Sequence, residues 1–406
     1  MTRSERQNLV IEKWKQHKCK GTLEASTGFG KTRTALMAMQ RVLNKNPSVK
    51  IVVIVPTTIL KEQWELQLKE WQIPATVLII NSAIQKPFSC DFLCLDEVHR
   101  YCSTQNSKIF QLCNPTFILG LTATYERLDQ KEKSVLDVYC PIFDSITLEE
   151  SENNSWAAPY NIYKVTLSVD TTQYVEANQS FLSNFAFFNF DWNLAMGCVT
   201  SVKLRQQLAK VSGHPEKVVA GHAFAWKKAM QFRKNFIANH PKKLEIAKLI
   251  LSKRQHTKAI TFNSNIKQCE SYGFGYVIHS KRKAKENKQV LQEFYKAGPG
   301  SVLHNSKIAK EGYDCPGLSV AILTGFYSDK ISMRQIIGRC IRFEPDKKAE
   351  IFVLTLQGCQ DEKWFQHATQ GLSYIELDEK DLHKLLDGKT KIGIKKQQEK
   401  FKGLRY

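Results

Sequence analysis

The stretch that decides the fold is Ala25-Ser-Thr-Gly-Phe-Gly-Lys-Thr32, followed by Arg33-Thr-Ala-Leu-Met-Ala-Met-Gln40. It begins where an apolar run, Gly21-Thr-Leu-Glu-Ala25, ends, and it opens onto a helical pattern. A strand, a loop of small residues and a helix start in that order make a phosphate cradle. Across Ser26, Thr27, Gly28, Phe29, Gly30, Lys31 and Thr32 the backbone N–H groups can turn toward an anion. Lys31 adds a point charge, Thr32 a hydroxyl for magnesium, and the helix start a favourable dipole. Ala25 stands where such loops usually begin with glycine. A Gly-Lys-Thr string in an ordinary surface turn would lack both the strand before it and the helix after it.

Sixty-five residues beyond Lys31 the chain reads Leu95-Asp96-Glu97-Val98-His99, at the end of the apolar strand Phe92-Leu-Cys-Leu95. A carboxylate pair in that position supplies what the cradle lacks. Asp96 is the candidate magnesium ligand with Thr32, and Glu97 the candidate group that orients or deprotonates water. Together the two strings imply hydrolysis of ATP with Mg2+.

At 406 residues the chain exceeds what one hydrophobic core serves, so two or three domains are expected. An apolar content of 42% is that of a globular protein. The 59 Lys and Arg against 39 Asp and Glu leave a formal +20, which points to a polyanionic partner, most simply nucleic acid. Eleven cysteines show no CxxC pair and no zinc-ligand spacing, which fits free thiols in a reducing compartment. No 18-residue apolar run or signal-peptide core is present, so no membrane partner and a cytoplasmic location are expected.

Short β-branched runs alternate with helical patterns through residues 1–150: Gly21–Ala25, Ile51–Pro56, Thr76–Ile80, Phe92–Leu95 and Phe117–Leu121. That alternation predicts βαβ units and a parallel sheet. The same grammar returns at Ala259–Asn263, Tyr276–His279, Ser301–His304, Ser319–Thr324 and Ile351–Leu354, without a phosphate loop. The expected fold class is α/β, with two parallel-sheet domains and a mainly helical insert between them. Its boundaries are 1–150 for the nucleotide-binding domain, 151–245 for a linking strand (Tyr160–Leu167) and basic insert, 246–360 for the second domain and 361–406 for a basic extension. Residues 201–248 carry eleven basic against two acidic residues, and residues 380–406 nine against three. In the insert Phe181, Phe185, Phe188 and Trp192 step by four, three and four. One helix face packing into the insert's core is the expected reading, with stacking on unpaired bases as the alternative.

Two later signals would couple the domains. Gln335-Ile-Ile-Gly-Arg-Cys-Ile-Arg342 places Gln335, Arg339 and Arg342 on one helix face. Guanidiniums offered by the second domain to a γ-phosphate held by the first would act as arginine fingers, worth ~10³–10⁵ in rate. Gly120-Leu-Thr-Ala-Thr124 closes a strand with two hydroxyls, Thr122 and Thr124, a link between nucleotide state and domain geometry.

With these residues on view the chain resembles a superfamily 2 helicase, its motifs following the family's order across about residues 7–355. The resemblance implies two RecA-like domains. Val55-Pro-Thr-Thr-Ile-Leu-Lys-Glu-Gln-Trp64 is similar to a strand-gripping motif, implying that Pro56 and Thr57 lie on a nucleic-acid backbone. Asn81 and Ser82 stand where a further strand contact occurs, and Phe262-Asn-Ser264 resembles another family motif. Ser306-Lys-Ile-Ala-Lys-Glu-Gly-Tyr-Asp-Cys-Pro316 implies backbone contact by Ser306 and nucleotide contact by Gly312 and Asp314. Gln7 is placed like the family's adenine-reading glutamine, although Ser4-Glu-Arg6 replaces the usual Arg-Pro-Tyr. His99 matches the position that links the ATP site to the nucleic-acid groove.

Within the superfamily, Leu121-Thr-Ala-Thr-Tyr-Glu-Arg-Leu-Asp129 and Ser155-Trp-Ala-Ala-Pro-Tyr160 resemble the branch of the XPB and UvsW DNA helicases and their phage relatives. The helical insert occupies the place of that branch's thumb-like element. Asp96-Glu-Val-His99 differs from the Asp-Glu-Ala-Asp of the RNA helicases that take their name from it. Little chain precedes Gln7, so a minimal motor of viral or mobile-element type is expected, in the host cytoplasm if viral. The resemblance implies an ATP-dependent helicase or translocase that unwinds or remodels duplex or branched DNA. A duplex translocase without strand separation and an RNA helicase remain the alternatives, and protein partners are not legible.

Overall fold

The computed structural model describes residues 1–26, 28–123, 130–306, 315–326 and 347–389, with 333, 336–338 and 340 between the last two stretches. The chain divides into two compact units, one centred on Met1–Asn161, the other on Ile162–Ile308 together with residues from Ile351 onward.

The first unit is built on six strands: β1 (Lys20–Ala25), β2 (Ile51–Val55), β3 (Ala75–Ile79), β4 (Phe92–Asp96), β5 (Phe117–Thr122) and β6 (Ile142–Ile146). They lie in the order β3-β2-β4-β5-β1-β6, and every pairing is parallel. Alternate side chains serve opposite faces. Val53, Val55, Phe92, Cys94, Leu119 and Leu121 enter one core with Val10, Trp14, Leu36 and Trp64, from the helices Arg3–Gln16, Lys31–Lys45 and Thr58–Glu70. Val52, Ile54, Leu93, Leu95 and Ile118 enter the other with Tyr101, Ile109 and Leu136. A sheet covered on both faces needs continuously apolar strands, which is why Ile51-Val-Val-Ile-Val55 shows no alternation of polarity. A buried ion cluster joins the first helix to β6, where Arg6 meets Asp144 and Glu150 and Lys13 lies 2.7 Å from Asp144.

The second unit holds seven strands: β7 (Tyr160–Leu167), β8 (Lys258–Phe262), β9 (Tyr276–His279), β10 (Val302–Ser306), β11 (Leu318–Leu323), β12 (Ala349–Leu356) and β13 (Ile375–Leu377). Their order is β13-β7-β12-β11-β8-β10-β9, with β10 parallel to β8 and β9, and β13 parallel to β7. This is the second parallel-sheet α/β domain of a RecA-like pair. The stretch 361–389 contributes β13 and the helices Gln360–Ala368 and Glu379–Leu386, so it is folded onto the sheet.

Residues 172–239 form four helices, Thr172–Ala186, Trp192–Thr200, Val202–Ser212 and Glu216–Asn239. The expected single helix face through Trp192 does not form. The first helix ends at Ala186, and a turn with Asn189 (φ 51°) and Phe190 (φ 58°) in the left-handed region reverses the chain. The aromatics still converge, now from three helices and the turn: Phe188 and Trp226 are fully buried, with Phe181, Phe185 and Trp192 at 5.0–6.1 Å ring distances from Trp226. Among the described residues no helix is long and apolar enough to cross a membrane.

Candidate nucleotide and nucleic-acid site

Three adjacent strands of the first sheet, β4, β5 and β1, deliver their carboxyl ends side by side, where ligands of open α/β sheets bind. The β1 end runs into the phosphate loop. Ser26 is tied to β6 by its N–H, which donates to Ile146 O at 2.9 Å, and its hydroxyl lies 2.7 Å from Ser151 Oγ. Gly28 (φ 93°) and Gly30 (φ 95°) take left-handed backbone, which is what bends the loop. A side chain at Gly30 would also collide with Gln7 Nε2, 2.7 Å from an ideal Cβ. Phe29 is fully buried, edge-on to Trp156 at 5.6 Å, and so pins the loop to the core. Lys31 and Thr32 open the helix Lys31–Lys45, and the Lys31 ammonium donates to Ala25 O at 2.9 Å. Burial pushes the Lys31 pKa down, opposed by the charges of Glu97 and Asp96.

Asp96 ends β4 and is 7% exposed. Burial, followed by repulsion from Glu97, lifts its carboxyl to about 6. Two hydrogen bonds hold the group: Trp64 Nε1–H donates to Oδ2 at 2.8 Å, and the Glu97 N–H to Oδ1 at 3.1 Å. Glu97 has left-handed backbone (φ 51°, ψ 53°), a strained state for a non-glycine residue that turns its carboxylate off the line of β4. His99 Nδ1 lies 3.1 Å from Thr122 Oγ1 and 3.4 Å from Glu97 Oε2. A buried Asp96 crowded by the partly exposed Glu97, with a desolvated Lys31 ammonium nearby, suits a divalent cation with a polyphosphate, since the bound charges offset the burial. The hydroxyl and carboxylate of Thr32 and Asp96 are hard oxygen donors appropriate to magnesium.

Gln7 is fully buried, and its amide donates to the carbonyls of Phe29 (3.1 Å) and Gly30 (3.4 Å), so it braces the loop. Pro56 and Thr57 follow β2, and Thr57 caps the helix Thr58–Glu70 through Leu60 N–H. Asn81 and Ser82 are exposed in the short helix that follows β3. These four residues therefore share the carboxyl edge of the sheet with the loop and the acids. In the second unit Ser306 ends β10, 2% exposed, at a cleft of ≈ 440 Å3 that Asn239, Ser264, Asn265, Ile266, Lys267 and Ser280 also line. Thr27, Thr124, Gly312, Asp314, Gln335, Arg339 and Arg342 lie outside the described residues.

Sequence reasoning missed Trp64 as part of the site, although it ends the quoted stretch Val55–Trp64. A tryptophan on the buried stripe of a helix carries an N–H that must find a partner, and that was the available signal.

A family model described as the res subunit of type III restriction enzymes matches residues 2–87, and one for the conserved C-terminal domain of helicases matches residues 242–344. Over 373 residues the chain is 25% identical to the DNA 3'-5' translocase XPB2 of Sulfurisphaera tokodaii, spanning 87% of this chain and 81% of that protein. Over 143 residues it is 34% identical to the putative ATP-dependent RNA helicase QP509L of African swine fever virus, spanning 28% of this chain and 27% of that protein. The crystal structure of the Pyrococcus furiosus Hef helicase domain shares the fold at a TM-score of 0.55 and 16% identity, covering 89% of this chain and 97% of that one.

Proposed function

We propose that this chain, which carries the two-part signature of the superfamily 2 helicases, is an ATP- and magnesium-dependent translocase that unwinds or remodels duplex or branched DNA. The observation that carries the reading is the single carboxyl edge on which the Lys31 loop, the Asp96–Glu97 pair and the Pro56–Thr57 helix cap stand together. Likeness over 87% of the chain to a protein named as a DNA 3'-5' translocase supports DNA as the track and that direction of travel. The partial likeness to a viral protein supports the phage or viral branch, and with it a host-cytoplasmic site of action.

In this reading the N–H groups of residues 26–32 and the Lys31 ammonium bind the phosphates, while Gln7 braces the loop and reads adenine. Thr32 and Asp96 would hold magnesium, which supplies charge neutralisation when bound. Glu97 accepts the proton of the attacking water, and His99 and Thr122, with Thr124, relay the state of that site. Gly312, Asp314, Gln335, Arg339 and Arg342 complete the nucleotide contacts, the guanidiniums meeting transition-state charge. Pro56, Thr57, Asn81, Ser82 and Ser306 grip phosphate backbone, which makes motion independent of sequence.

The test is ATPase stimulation across single-stranded DNA, duplex, forked DNA and RNA, followed by strand displacement on the best substrate. Stimulation by DNA with displacement supports the reading. Stimulation by duplex without displacement would make it a duplex translocase, and preference for RNA an RNA helicase.

A further inference from the structure

We propose that Trp64 is a positioning residue for Asp96, and that through it the helix Thr58–Glu70 couples a gripped nucleic-acid strand to the metal-holding carboxylate. The inference rests on the functional reading above and deepens it.

Asp96 Oδ2 accepts from the Trp64 indole at 2.8 Å, and both residues are almost wholly buried. The Glu97 N–H occupies Oδ1, so each carboxylate oxygen has one lone-pair direction fixed by the protein, and the remaining directions set where a cation sits. Phenylalanine or leucine would also be apolar in this core, but neither donates a hydrogen bond. Trp64 and Leu68 are the helix's buried residues, so the indole cannot swing away without disturbing the core. Seven residues earlier, about 10 Å along the axis, the same rigid helix starts at its cap, Thr57. A strand pressing on Pro56 and Thr57 therefore acts on the element that holds Asp96. Among the described residues no other side chain donates a hydrogen bond to the Asp96 oxygens, which makes Trp64 the direct mechanical tie between the two.

The test compares the full chain with W64F, measuring affinity for a fluorescent ATP analogue across a magnesium titration and in EDTA, and the ATPase with and without DNA. Outer partners of metal ligands typically tune affinity 10–100-fold. The expected result is a magnesium half-saturation about tenfold higher in W64F, EDTA affinity within about twofold of wild type, and a reduced DNA stimulation ratio. Unchanged magnesium dependence, or equal weakening with and without magnesium, overturns the proposal. A wild-type chain that binds no nucleotide overturns the functional reading itself, which separates the two failures. Should W64F fold poorly, 5-fluorotryptophan spectra of the wild-type chain report instead. Of its seven tryptophan resonances, the one missing from W64Y must shift when magnesium nucleotide binds and again when DNA is added, and a resonance that stays fixed overturns the proposal.

Discussion

The imidazole of His99 bridges the ends of neighbouring strands, with Nδ1 3.1 Å from Thr122 Oγ1 on β5 and 3.4 Å from Glu97 Oε2 after β4. The Glu97 carboxylate and the Thr122 hydroxyl thus share one ring. Replacing it tests whether they share information. H99A should keep ATP affinity within about twofold yet lower DNA stimulation of the ATPase about tenfold, in the range usual for coupling between sites. The comparison of stimulated and basal rates checks it.

Glu97 is the general base of the proposed chemistry, and positioned bases contribute typically 10²–10⁴-fold. E97Q should therefore bind ATP as the wild type does while losing at least about 10²-fold in DNA-stimulated turnover. Equilibrium binding of a fluorescent analogue and steady-state hydrolysis separate the two effects. Near-wild-type turnover would remove Glu97 from the mechanism.

Asp96, lifted from 3.8 to about 6 by burial and by Glu97, brings a pH dependence with a definite sign. At the proposed site magnesium would compete with a proton for this carboxylate, so magnesium-nucleotide affinity should fall as pH drops through about 6, by up to about tenfold per unit. Titrations at pH 5, 6 and 7 check it. Without metal the folded chain holds this proton more tightly than the unfolded chain, so the group's contribution to stability is present at the acid end and is lost as pH rises through that window. D96N should remove that slope from the unfolding free energy.

In the second unit Lys243 Nζ lies 2.8 Å from Asp361 Oδ2, with both side chains 1% exposed. The lysine also donates to Thr324 O, and the aspartate accepts from Leu356 N–H. K243M would leave a buried carboxylate alone, at a cost of about 3–5 kcal/mol. Denaturant unfolding of the chain should show that loss, with part of it recovered in the double variant K243M/D361L.

Much of the fold was legible because strands buried on both faces advertise themselves. Ile51–Val55 and Phe92–Leu95 read as continuous apolar runs, and Tyr160–Leu167 was located to the residue. What escaped were the sheet margins. Ile142–Ile146 carries Asp144 and Ser145 in its middle, and Ile375–Leu377 is only three residues long, so neither shows a strand-like run. The phosphate loop and acid pair were legible as local strings. Trp64 was not, because its partner Asp96 is 32 residues away and only the pairing of β2 with β4 brings helix and acid together. The aromatic spacing of the insert misled for the opposite reason. Periodicity continues across Ala186, where the helix ends, and the only local signs of the break are Asn189 in the left-handed turn and Asp191, which caps the next helix.

Ile375–Leu377 is short, yet it lies against the outer flank of β7 in register Ile375 with Tyr163, Glu376 with Lys164 and Leu377 with Val165. It works as a selvedge. Trimming the chain ahead of residue 375 would bare a row of backbone donors and acceptors along Tyr163–Val165, ready to zip onto a neighbouring molecule. Three residues thereby keep an otherwise open sheet edge closed to self-association.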